Sequence, residues 1–152
     1  MWYRVFGHRV DEVSPAVLAA HLHAAGLAVE PHFRGDDLGW TAGELRLPGG
    51  GTPIYLERYL AKDDDIRDEL NAHAAVLETC DYSPNNGELM AHVIQTQQLI
   101  TIRKPVDAAD EVLLENVILE TCRFLAAHTD GVYQIDGQGW YAPNGDLLLQ
   151  EY

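Results

Sequence analysis

The chain predicts an α+β fold, a mostly antiparallel sheet built from two β-α-β-β-β halves with a helical hairpin inserted between them. Three observations lead there. Short β-branched and aromatic runs alternate with Gly, Asp, Asn and Pro turns in the first and last thirds of the sequence. The middle third instead spaces its apolar residues three and four apart, as a helix does. The two outer thirds, 3–59 and 99–152, also repeat one order of elements around an insert at 61–95. With 152 residues, 47% of them hydrophobic, the chain has the length and apolar content of a single domain with its own core.

Each element has a local reason. Trp2 to Phe6 is aromatic and β-branched, and reads as a strand. Ser14-Pro15 supplies an N-cap and a proline at the first helical position; Val17, Leu18, Leu22 and Ala25 carry the helical spacing to Gly26, which suits the left-handed stop. Strands are expected over 28–33, 39–47 and 54–59, separated by Gly35-Asp36-Asp37 and by Pro48-Gly49-Gly50-Gly51. Asp63-Asp64-Asp65 stands where a helix should open, since carboxylates complement the positive end of the helix dipole, and Ile66, Leu70, Ala74 and Leu77 form its apolar stripe up to Cys80. Ser83-Pro84 predicts a second cap and a helix through about Gln95, with Leu89, Val93 and Ile94 inward. Gln98 to Arg103 alternates as a strand. Asp107 then starts the longest helix, ending near His128, with Leu113, Leu114, Val117, Ile118, Thr121, Phe124 and Leu125 on one wide face. The final strands, 131–135, 138–142 and 146–151, are joined by Asp136-Gly137 and Asn144-Gly145, dipeptides that tolerate positive φ.

The repetition is visible in particular residues. Val10-Asp11 answers Val106-Asp107, Gly39-Trp40 answers Gly139-Trp140, and Leu56-Glu57-Arg58-Tyr59 answers Leu149-Gln150-Glu151-Tyr152. The offset grows from 96 to 100 across the helices, about one helical turn, which a longer second helix absorbs without turning its apolar face much. Duplication and the shared grammar of hairpin turns both account for this echo. Duplication has the sharper consequence: Trp40 would superpose on Trp140 and Tyr59 on Tyr152, with both tryptophans on equivalent sheet faces.

Charge narrows the function. Ten Lys and Arg against 24 Asp and Glu give a formal charge of -14, which repels nucleic-acid phosphates and anionic membrane surfaces. No apolar run approaches the roughly 20 residues that span a bilayer, and the opening MWYRVFGHRVDE lacks the marks of a signal peptide, so a cytoplasmic protein is expected. The two cysteines, Cys80 and Cys122, fall in helices and are expected as free, buried thiols.

Residues able to carry chemistry are dispersed. The seven histidines do not fall at metal spacing: His21 and His23 diverge by about half a turn, and Glu69 and His73, one turn apart, have no further ligand in sequence. Ser14 and Ser83 are helix caps, no Gly-x-Ser-x-Gly occurs, and Gly49-Gly50-Gly51 is not followed by Lys-Ser/Thr. No metal, cofactor or catalytic residue is therefore expected. Asp36, Trp40, Asp136 and Trp140 are the candidate ligand- or partner-binding residues, because a pseudo-twofold would bring both pairs toward one groove; as single residues they are a turn aspartate and a hairpin-pinning tryptophan. Val112 and Leu119, on the polar side of the long helix, suggest a small contact with a partner or a second copy, or the underside of the middle hairpin. Two function classes fit: a non-catalytic acidic binding or regulatory protein engaging a basic protein, as an inhibitor or immunity-type protein does, and a small enzyme or ligand binder working between the halves.

Overall fold

The computed structural model describes residues 1–152. Eight strands and four helices follow in the order β1 (Trp2–Gly7), α1 (Pro15–Ala24), β2 (Glu30–Asp36), β3 (Gly39–Arg46), β4 (Ile54–Leu60), α2 (Arg67–Thr79), α3 (Asn86–Ile94), β5 (Gln98–Arg103), α4 (Glu111–His128), β6 (Gly131–Ile135), β7 (Gly139–Tyr141) and β8 (Leu147–Gln150). All strands join one sheet in the order β2-β3-β4-β5-β1-β6-β7-β8, and every neighbouring pair is antiparallel. The fold is α+β, with the helical hairpin inserted between the β4 and β5 ends that pair at Leu60 and Gln98.

The alternation of the central strands feeds two cores. Tyr3 and Val5 on β1, Ile100 and Ile102 on β5, and Tyr133 and Ile135 on β6 pack with α1 and α4 on one face. Phe6, Leu99 and Val132 point the other way and pack with α2 and α3. The caps explain the helix starts: Ser14 Oγ accepts from Val17 N at 3.1 Å, and the Asp110 side chain accepts from Leu113 N at 3.0 Å.

Several boundaries differ from the sequence expectation, each for a local reason. Asp63–Asp65 lie in a turn before α2, not in its first turn; Asp64 Oδ2 accepts the Leu60 N–H at 2.7 Å, so the carboxylate closes the end of β4. Ser83 Oγ accepts from Asn85 N, and α3 begins only at Asn86. Ile94 and Val17, expected inward, are exposed at the ends of their stripes. Helix α4 starts four residues after Asp107, behind the Asp110 cap, and Asp107 instead accepts a bond from Thr52.

The two halves do not superpose strand for strand. Beside β5 the outer strands run β4, β3, β2 toward the edge, so the last strand of the first half is innermost; beside β1 they run β6, β7, β8, so the strand that follows the helix of the second half is innermost. The tryptophans also part: Trp40 belongs to the α1/α4 core and Trp140 to the α2/α3 core. A bulge contributes. Arg34 pairs with Ala42 and Gly35 with Trp40, leaving Thr41 as an extra residue, and that single step puts Trp40 on the face of Leu45.

Candidate functional site

The four residues singled out from sequence occupy two separate places. Asp36 Oδ1 accepts from Leu38 N at 2.9 Å within the β2–β3 turn. Trp40 is buried, its backbone N–H donates to Glu12 at 2.7 Å and its indole N–H to the Val13 carbonyl at 2.9 Å, so it ties the segment before α1 to the sheet. Asp136 accepts a bond from Arg4 Nη1 at 2.5 Å, and Trp140 packs on Phe6 with ring centres 4.9 Å apart. β3 and β7 are second from opposite edges, five strand spacings or about 24 Å apart. The structure does not bring the pairs into one groove.

What the second face does present is a half-open sheet. The helical hairpin covers the row Tyr59, Leu99, Phe6 and Val132. The next row, Ala42–Glu57–Thr101–Arg4–Gln134–Trp140, turns polar, and the row beyond it, Glu44–Tyr55–Arg103–Trp2, carries aromatic and charged side chains with no helix over them. Most of these residues are half-buried, and the Arg103 guanidinium lies over the Trp2 ring at 6.0 Å from its centre. Trp, Tyr and Arg are the residue types that most often anchor protein interfaces.

A polar network crosses this surface. Arg4 Nη1 donates to Gln134 Oε1 at 2.9 Å as well as to Asp136, while Gln134 Nε2 donates to Glu151 at 2.9 Å; Arg4 Nε is buried without a partner. From α2, His73 sits 3.9 Å from Glu69, its ring nearly perpendicular to that of Phe6 with centres 5.4 Å apart. Burial, with Arg4 adding to it, holds the His73 imidazole below its ordinary range, although Glu69, Asp136 and Glu151 act in the other direction. Tyr59 donates its hydroxyl to Glu57; burial first, and then that bond, push the phenol upward, so it stays a donor.

The arrangement is suited to pairing charges and stacking rings rather than to covalent chemistry. Both cysteines are buried, and burial pushes the Cys122 thiol upward, away from the reactive thiolate. Thr101 is the one hydroxyl in the polar row, and no histidine is hydrogen-bonded to it. No three His, Cys, Asp or Glu side chains converge at metal-binding spacing, and no helix is long and apolar enough to cross a membrane.

The open rows lead at the far end of the strands into a cleft of about 500 Å³, lined by Met1, Pro53, Tyr55, Arg103, Pro105 and Val106 among others. Beyond Lys104, which bridges Glu111 at 2.5 Å and Glu115 at 2.9 Å, a second depression is bordered by Val112. Val106 is 99% exposed and Val112 73%, so the expectation that Val112 faces outward holds; Leu119 packs against the core.

Arg4, Gln134, Glu57 and Arg103 were not singled out from sequence. Arg4 and Gln134 lie 130 positions apart and meet only through the β1–β6 register. The alternation of Trp2-Tyr3-Arg4-Val5 held the one available signal, because a charged residue at an alternating position marks a face not fully covered by apolar packing.

No protein-family model matches the chain, and neither curated proteins nor solved structures gave a match.

Proposed function

We propose that the protein is a non-catalytic binding or regulatory protein whose acidic helical hairpin and adjoining open sheet face engage a basic protein partner. One observation carries this reading. Between Ala61 and Gln95 the chain places eight carboxylates against two cations, Lys62 and Arg67, and all eight residues are exposed. The Lys and Arg ion pairs of the molecule all lie elsewhere, and Arg67 spends its guanidinium on the Ile94 carbonyl. The hairpin is thus an uncompensated negative surface beside a sheet face rich in interface-type side chains. Such a surface attracts a cationic partner over about 8 Å at physiological ionic strength and lets the aromatic row supply contact area once docked.

Capture from the native host tests this with two immobilised baits, the wild type and a variant carrying Asp63→Asn, Asp65→Asn, Asp68→Asn and Glu78→Gln. The reading predicts a stoichiometric basic protein on the wild type at low salt, released by a few hundred millimolar salt and absent from the variant. A partner retained equally by both baits, or a small molecule retained in place of a protein, would contradict it.

A further inference from the structure

We propose that Glu57, framed by Tyr55 and Tyr59, is the receptor for one cationic side chain, an arginine or a lysine, of the basic partner. The inference rests on the reading above that the partner is basic, and it assigns the point of entry. Tyr55, Glu57 and Tyr59 are alternate residues of β4 and so point to the same side of the sheet, about 7 Å apart along the strand, with Tyr59 packed against the hairpin core and Tyr55 and Glu57 beyond its cover. Their cross-strand neighbours decide the shape. Glu57 is flanked across the sheet by Ala42 on β3 and Thr101 on β5, both short, and along β4 by the larger Tyr55 and Tyr59. The half-buried carboxylate therefore has a notch of short neighbours across the sheet, bounded along the strand by Tyr55 and by Tyr59, whose hydroxyl donates to it.

The notch has no resident cation. Glu57 is half-buried, its hydrogen-bonding side-chain partner is the Tyr59 hydroxyl, and it forms no ion pair. The nearby guanidiniums are engaged elsewhere: Arg4 with Asp136 and Gln134, Arg103 over Trp2, and Arg46 with Glu44. A guanidinium entering beside Tyr55 would gain charge-assisted hydrogen bonds to Glu57 and stack on the Tyr55 ring, a combination that neither an anion nor an apolar side chain obtains there. Glu69 on α2, which acts on the Tyr59 phenol, adds attraction of the same sign.

The test uses N-acetyl-arginine amide, and the neutral isostere N-acetyl-citrulline amide, titrated into isotopically labelled full-length protein and followed by amide and tyrosine-ring chemical shifts. The arginine probe should move Tyr55 to Tyr59 and Thr101, and the citrulline probe should not. Glu57→Gln should weaken the arginine response at least about tenfold, the loss of one charge-assisted contact. Thr101→Arg, which fills the notch from within, should abolish the response even if Glu57→Gln folds poorly. Shifts confined to the α2 and α3 carboxylates would overturn the Glu57 assignment while leaving the basic-partner reading standing. A response unchanged in both variants would likewise overturn the assignment.

Discussion

The same strands present two faces that differ in how they are finished. On one, helices α1 and α4 close the sheet over a 20-residue core that runs from Leu45 on β3 to Ile135 on β6. On the other, α2 and α3 build a 12-residue core at one end, and the remaining rows carry Glu57, Thr101, Arg4, Tyr55 and Arg103. The difference follows from helix length and placement. The 18 residues of α4 reach about 27 Å, enough to run along the central strands, whereas the hairpin helices have 13 and 9 residues and pack against each other. A face that is closed from end to end, by apolar side chains and at one end by the buried Arg58 and Gln98, is scaffold. A face that turns polar halfway along each strand, without a helix over it, has surface left for recognition.

The largest expected effects break the closed face. Ile118→Ala, wholly buried on α4, should cost about 3–4 kcal/mol in denaturant unfolding, because a well-packed site cannot collapse around the lost atoms. Thr101→Ala on the open face should stay within about 0.5 kcal/mol. Equal costs would erase the distinction between the faces. Next comes Arg58, 5% exposed, which donates to Gln98 and to the carbonyls of Leu38, Trp40 and Val10 and so holds the segment before α1. Arg58→Met should destabilise by about 2–3 kcal/mol, since it strands buried acceptors. A change below 1 kcal/mol would show that those acceptors find other donors.

A smaller effect distinguishes the hairpin. His92 donates to the Phe6 carbonyl at 2.8 Å and stacks on His8 with ring centres 3.6 Å apart. Burial holds its imidazole below the ordinary range, with His8 adding to this and the Phe6 bond, Asp130 and Glu88 opposing it. The unfolded chain therefore binds the proton more readily than the folded one. The contribution is fully present above about pH 6.5 and is lost as pH falls below it. Comparison of wild type with His92→Gln, which keeps a donor for Phe6, should show a shallower loss of stability between pH 7 and pH 5 in the variant; parallel curves would contradict this. Asp110→Ala, which removes the cap of α4, should cost about 1 kcal/mol by thermal unfolding.

The elements were legible in the sequence because each rests on local chemistry: the Ser14-Pro15 start, the stripe from Ile66 to Leu77, and the alternation in β1 and β5. The order of strands was not, since hairpin turns look alike whichever strand of a half lies innermost. The faces of the tryptophans were misread for a similar reason. One extra residue at Thr41 reverses side-chain parity, and a bulge is a backbone event that composition does not announce. Of the candidate site, Asp136 and Trp140 lie in or beside the polar network, whereas Asp36 and Trp40 serve the β2–β3 hairpin and the α1 segment. Glu57 escaped notice because its setting depends on Ala42 and Thr101, neighbours only after pairing.

The central claim, that recognition resides on the half-open face and its acidic hairpin, is tested most directly by chemical-shift mapping with a peptide of alternating arginine and lysine at low and at 0.5 M salt. The account predicts perturbations along α2 and α3 and the middle of β4 and β5, fading at high salt as screening shortens the reach of the carboxylates. Perturbations centred on α1 and α4, or none at all at low salt, would contradict it.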